Sequence, residues 1–138
     1  MKAAREEFSA RSGGYAKARQ ELTVTKEIIA DAKKIGLVLR DSDTYVNRAE
    51  AAMNNKNYDQ AAGLAVQARQ ALQKALPDVL QKQMKKARTA LLDMKMKGGD
   101  LTKSVGLLKQ ASIHIKREEF GDALRFVRMF QEEIKGLR

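Results

Sequence analysis

At 138 residues, 43% of them hydrophobic, the chain is long enough for one domain-sized core burying roughly two-thirds of its unfolded surface. It has no cysteine or tryptophan, one histidine, four Phe and three Tyr, which excludes disulfides, thiolate metal sites and multi-imidazole sites and leaves an aliphatic, alanine-rich core. The formal net charge of +10 attracts anions, and no apolar run approaches the roughly 20 residues that a membrane span requires.

Met1 to Gly14 is charged and lacks the apolar stretch of a secretory leader, so a cytoplasmic location is expected. This N-terminal segment, residues 1–14, reads as a helical or frayed addition. Met1, Ala4, Phe8, Tyr15 and Ala18 keep one register, but two adjacent glycines, Gly13 and Gly14, favour a break over an extension of the next helix. From Tyr15 the apolar positions Ala18, Leu22, Ile29 and Ala32, with Thr25 among them, are spaced three and four apart and predict an amphipathic helix ending at Gly36. Asp41-Ser42-Asp43 then offers capping residues for a shorter helix lined by Val46, Ala49 and Met53 and closed by Asn54 to Asn57. A third helix begins near Tyr58, its stripe of Ala61, Ala65, Ala68 and Leu72 inviting close approach of a neighbouring backbone. Gly63 within it costs about 1 kcal/mol relative to alanine unless a close helix contact offsets the loss.

Pro77 fixes φ and removes a donor, so the third helix is expected to be interrupted there. Leu76-Pro77-Asp78 reads either as a tight reversal, giving one compact bundle, or as a kink in one long shared helix, with the reversal favoured by how short helix connections usually behave. Beyond it, Leu80, Met84, Ala87, Leu91 and Met94 line a helix ending at Gly98-Gly99. Leu101, Val105, Leu108, Ala111 and Ile115 line the next, and Phe120, Ala123, Leu124, Val127, Phe130 and Ile134 the last. No window alternates at period two for long, so strands are not expected.

Shifting the chain by 62 residues lays Tyr15–Leu76 over Pro77–Arg138. Asp31, Lys33, Gly36, Leu39, Ser42, Ala49 and Ala61 recur as Asp93, Lys95, Gly98, Leu101, Ser104, Ala111 and Ala123. Apolar pairs such as Leu22 with Met84, Val46 with Leu108 and Leu72 with Ile134 keep the register between them. The expected fold is therefore all-α, two tandem three-helix units covering residues 15–76 and 77–138.

Part of each unit resembles a tetratricopeptide-type helical hairpin. Tyr58-Asp59-Gln60-Ala61 followed by Ala68 carries the aromatic and alanine spacing, and Phe120-Gly121-Asp122-Ala123 starts the same way. The 62-residue period exceeds the roughly 34 of that family, and Phe130 stands where its second alanine would be. The units are more similar to archaeal alanine-rich repeat proteins that add another helix to such a hairpin. The resemblance implies a scaffold for protein interaction.

Catalytic constellations are not visible in the sequence. His114 stands alone and reads as a half-exposed surface residue, while Glu6-Glu7, Glu118-Glu119 and Glu132-Glu133 are neighbours that point about 100° apart on a helix and read as solvated. No catalytic, cofactor-binding or metal-binding residue and no small-molecule substrate is expected. Charge is the sharper signal, since Val79 to Arg117 holds ten basic and two acidic residues, a net +8, leaving +2 for the rest.

Lys82, Lys85, Lys86, Arg88, Lys95 and Lys97 lie off the apolar seam and form a candidate anion-binding face. Lysines outnumber arginines eight to two in that stretch and no aromatic lies within it, so a nucleic acid would be held by its duplex backbone, without base reading or stacking. Phe126 and Met129 flank the stripe of the last helix and form a candidate partner patch. The leading expectation is a nonenzymatic helical scaffold for protein–protein interaction or self-association. The alternative is sequence-nonspecific binding of nucleic acid or another anionic surface through the basic face.

Overall fold

A computed structural model describes the backbone of residues 2–137 and the side chains of residues 13–137; the apolar register of Met1, Ala4 and Phe8 lies outside those side chains. The described residues form five helices and no strand: α1 Lys2–Lys34, α2 Arg40–Asn54, α3 Tyr58–Met96, α4 Thr102–Lys116 and α5 Phe120–Leu137. Six apolar stripes thus lie on five helices, because the third and fourth are one.

The helix ends show how local sequence sets the boundaries. At the end of α1, Gly36 takes a left-handed φ of 78°, its N–H donates to the Lys33 carbonyl at 3.0 Å, and the Leu37 N–H donates to Ala32 at 2.9 Å. These paired bonds satisfy carbonyls that a helix end leaves free, and glycine enters the left-handed region without a Cβ penalty. Gly98, at φ 81°, does the same for α3, with N–H donations from Gly98 to Lys95 and from Gly99 to Met94. Helix α2 ends on Lys56 (φ 61°) and α4 on Glu118 (φ 60°), each closed by the same pair of bonds although neither is glycine. Every one of these features recurs at the 62-residue offset, as do both ends of α2 in α4 and the start of α3 in α5.

By contacts the chain divides into two compact units: unit 1, Met1–Ala30 with Val38–Leu72, and unit 2, Asp31–Leu37 with Gln73–Arg138. In unit 1, Ala18 of α1, Ala52 of α2 and Ala61 and Ala62 of α3 form a buried cluster, with Met53 and Leu64 packed against it. Glu21 of α1 pairs with Arg69 of α3 at 3.2 Å. In unit 2, α4 packs on α5, and the core holds Leu76, Leu80, Met84, Leu108, Leu124, Val127, Phe130 and Ile134. The Gln131 side-chain amide donates to Gln83 Oε1 at 2.9 Å. Gln83 and Gln131 are the 62-residue equivalents of Glu21 and Arg69, so one contact position is ionic in unit 1 and neutral in unit 2.

Three sequence expectations are corrected. Gly13 and Gly14 do not break α1; a Cβ at Gly14 would meet Asp59 Oδ1 at 2.7 Å, so the bare Cα lets the start of α3 come close. Gly63 has open space where its Cβ would be, so no close contact offsets its helix cost. Pro77 does not end its helix, for α3 runs unbroken from Tyr58 to Met96. An interior proline costs about 3 kcal/mol or more. Pro77 and Gln73, whose carbonyl loses its partner, are both exposed and so open to water, while Leu76 and Leu80 are almost completely buried. At about 1.5–3 kcal/mol for each fully buried leucine, that burial is of the size needed to offset the loss.

Candidate functional site

The second half of α3 belongs to unit 2 and carries the basic face. Lys82, Lys85, Lys86, Arg88 and Lys95 are all exposed, as is Lys97 in the turn that follows. Among the described residues none of these six side chains has an ion-pair or hydrogen-bond partner. Lys82 and Lys86 are four residues apart and Lys85 and Arg88 three, so like charges neighbour each other on the helix surface. Each such pair costs about 0.2–0.5 kcal/mol, a strain that an incoming anion relieves. Asp100 keeps its negative charge: the Thr102 backbone N–H at 3.1 Å, then its hydroxyl at 2.8 Å, hold the Asp100 carboxyl below its ordinary value.

Two apolar side chains interrupt this face. Leu92 is 63% and Met96 88% exposed, one helical turn apart, in line with Lys85 and Arg88 and beside Lys95. Sequence reading missed them because attention to the buried stripe passes over apolar residues outside it. The signal was their four-residue spacing on the side away from Leu80, Ala87 and Met94.

Phe126 and Met129 do not form an open patch by themselves, since both are half-buried. The Phe126 ring stacks on the His114 imidazole with centroids 5.3 Å apart and planes 11° from parallel, and Arg125 lies over its ring. His114 is correspondingly more enclosed than a surface residue, with 18% of its side chain exposed and Nδ1 3.5 Å from Glu119 Oε1. Asp122 brings a third potential ligand atom within 4.8 Å of this pair, and it also meets Arg125 at 3.6 Å. Nearby, Arg128 Nε lies 2.6 Å from Asp31 as an ion pair out of hydrogen-bond alignment, while its Nη1 donates to Glu132 at 2.8 Å. The Glu132 hydrogen bond is the main reason the Arg128 guanidinium is held still more firmly protonated than usual.

Unit 1 handles charge differently. Its shallow depression of about 340 Å³ is lined by Tyr15, Arg19, Lys26, Glu50 and Met53, among others, and its charges are engaged locally. Lys26 pairs with Glu50 at 2.6 Å, and Arg19 donates to the Tyr15 hydroxyl at 2.7 Å. The 62-residue equivalents of Lys26 and Glu50 are Arg88 and Ser112, so the repeat keeps the cation and drops its carboxylate. That single exchange leaves Arg88 without the partner its counterpart has.

Among the described residues, no helix is long and apolar enough to cross a membrane. No family model, curated protein or solved structure matches the chain.

Proposed function

We propose that the chain is a nonenzymatic scaffold of two tandem three-helix repeats that share the long helix α3 and engage protein partners through the basic surface of unit 2. The observation that carries this reading is the pair Leu92 and Met96, held in water among unpartnered cations. Full burial of such a side chain is worth about 1.5–3 kcal/mol, a gain that a protein surface supplies and a row of phosphates does not. Self-association through the same face would set like charges against each other, which favours a different, acidic partner.

Capture from a native lysate with nuclease present, comparing the unaltered chain with Leu92→Ser/Met96→Ser and with Lys85→Glu/Arg88→Glu, tests it. Proteins retained by the unaltered chain and lost from both variants support the scaffold. Equal capture by all three chains, or capture that nuclease abolishes, rejects it. The six unpartnered cations also favour a second reading, loose binding of duplex nucleic acid. A duplex shift that is present at low salt and lost steeply at moderate salt supports that alternative, and no shift at low salt removes it.

A further inference from the structure

A cleft in unit 2, away from Leu92 and Met96, has a chemistry of its own. It lies between α3 and α5, with a volume of about 180 Å³, and is lined by Lys86, Ala87, Ala90, Phe130, Gln131, Ile134 and Lys135. Ala87, Phe130 and Ile134 are buried and Ala90 half-buried, so the floor is apolar. The opening exists because two alanines on α3 face a phenylalanine and an isoleucine on α5, and short side chains on one wall leave room that long ones would fill. Lys86 and Lys135 stand exposed at the rim, neither with an ion-pair partner among the described residues, and no carboxylate lines the cleft. Gln131 uses its amide N–H on Gln83, leaving its carbonyl oxygen to accept from a ligand.

We propose that this cleft receives one aliphatic side chain of an acidic amphipathic segment on a partner protein, with carboxylates of that segment meeting Lys86 and Lys135. Its volume decides the size of the occupant: small-molecule sites run about 300–1,000 Å³, whereas this space suits one side chain. The charge pattern decides its surroundings, since an apolar floor between two unpaired ammonium groups complements a leucine flanked by Asp or Glu and repels a basic segment. Duplex phosphates would satisfy the lysines but leave the apolar floor unfilled. The inference rests on the scaffold reading only in taking the occupant to be protein. The cleft shares Lys86 with the basic surface but not Leu92, which lies roughly 200° around the helix from Ala90.

The probe is a fluorescein-labelled synthetic peptide with leucines three and four residues apart and glutamates beside them, followed by fluorescence anisotropy against the full chain. A peptide of the same composition in scrambled order serves as control. Binding of the patterned peptide should exceed that of the scramble and weaken about tenfold or more in Lys86→Glu/Lys135→Glu. It should weaken about fivefold or more in Ala90→Leu, which fills the cleft without changing charge. Circular dichroism should show each variant folded.

No binding of the patterned peptide, or binding that neither cleft variant alters, overturns the cleft while leaving the scaffold reading to the lysate capture. Conversely, cleft-dependent peptide binding with failed capture retains the cleft and rejects the Leu92 and Met96 surface. Vesicles of phosphatidylserine and phosphatidylcholine, and a labelled DNA duplex, form two further arms. If either loses binding on Ala90→Leu while the peptide does not, the occupant is lipid or nucleic acid and the proposal fails.

Discussion

Units 1 and 2 close α2 and α4 with the same turn and place side-chain contacts at equivalent positions, yet they fill those positions with different volumes and charges. Ala62, Ala65 and Ala68 of unit 1 correspond to Leu124, Val127 and Phe130 of unit 2, all buried. Unit 1 has ten basic and eight acidic residues, net +2, and unit 2 seventeen and nine, net +8. The difference teaches that a helical frame tolerates large exchanges of side-chain size when facing positions compensate, and that surface charge varies independently of the frame. Surface charge can therefore diverge in one unit while α2 and α4 keep matching ends.

Exchanging core volumes should break the comparison most severely. Phe130→Ala removes a nearly fully buried ring and should lower unfolding free energy by about 3–5 kcal/mol in denaturant melts. The reciprocal Ala68→Phe should cost about 1–3 kcal/mol or more by overpacking. If Ala68→Phe is neutral, unit 1 has room for unit 2's packing and the contrast in volume is not a constraint. Next in size is Arg128→Ala, which leaves the mostly enclosed Asp31 carboxylate without its 2.6 Å partner. A loss of about 2 kcal/mol is expected, read as a lower denaturation midpoint. An unchanged midpoint would mean that water replaces the guanidinium.

The helix ends sharpen the likeness. Lys56→Gly and Glu118→Gly each replace a left-handed residue that carries a Cβ, so each should stabilise its own unit by about 1 kcal/mol. A gain in one and a loss in the other would show that the matching φ angles conceal different side-chain roles. Smaller still, Glu21→Gln/Arg69→Gln gives unit 1 the neutral residues of unit 2's Gln83 and Gln131 contact and should change stability by less than about 1 kcal/mol.

The smallest expected effect concerns acid. The carboxyl of Asp100 is held below its ordinary value by Thr102, so its contribution to folding is present above the unfolded value near 3.8 and is lost as pH falls through the lower folded value. Val38 stands at the equivalent position in unit 1. Amide hydrogen exchange should therefore show the start of α4 loosening in acid, and Asp100→Ala should abolish that loosening.

Much of this fold was legible in the residues. The stripe of Ala61, Ala65, Ala68 and Leu72 is buried, as are Leu80, Met84, Ala87 and Met94, because a three-and-four spacing puts apolar groups on one side of any helix that forms. Gly36 and Gly98 announced helix ends because they enter the left-handed region at little cost. The exposure of Lys82, Lys85, Lys86, Arg88, Lys95 and Lys97 followed from the same periodicity read on the outer side.

What the sequence determined by itself was helix type, most of the apolar register, the glycine turns at Gly36 and Gly98 and the location of the charge, each set by interactions within a few residues or along one helix face. The Asp41-Ser42-Asp43 cap did not form, for Leu39 precedes α2 and no side chain caps it. Tertiary structure decided whether α1 continues through Gly13 and Gly14, whether α3 survives Pro77, that Phe126 rests on His114, and that a cleft opens beside Ala90. The reason is energetic: a local penalty of a few kcal/mol is readable from residue type, but the burial that offsets it depends on side chains brought close only when the helices pack.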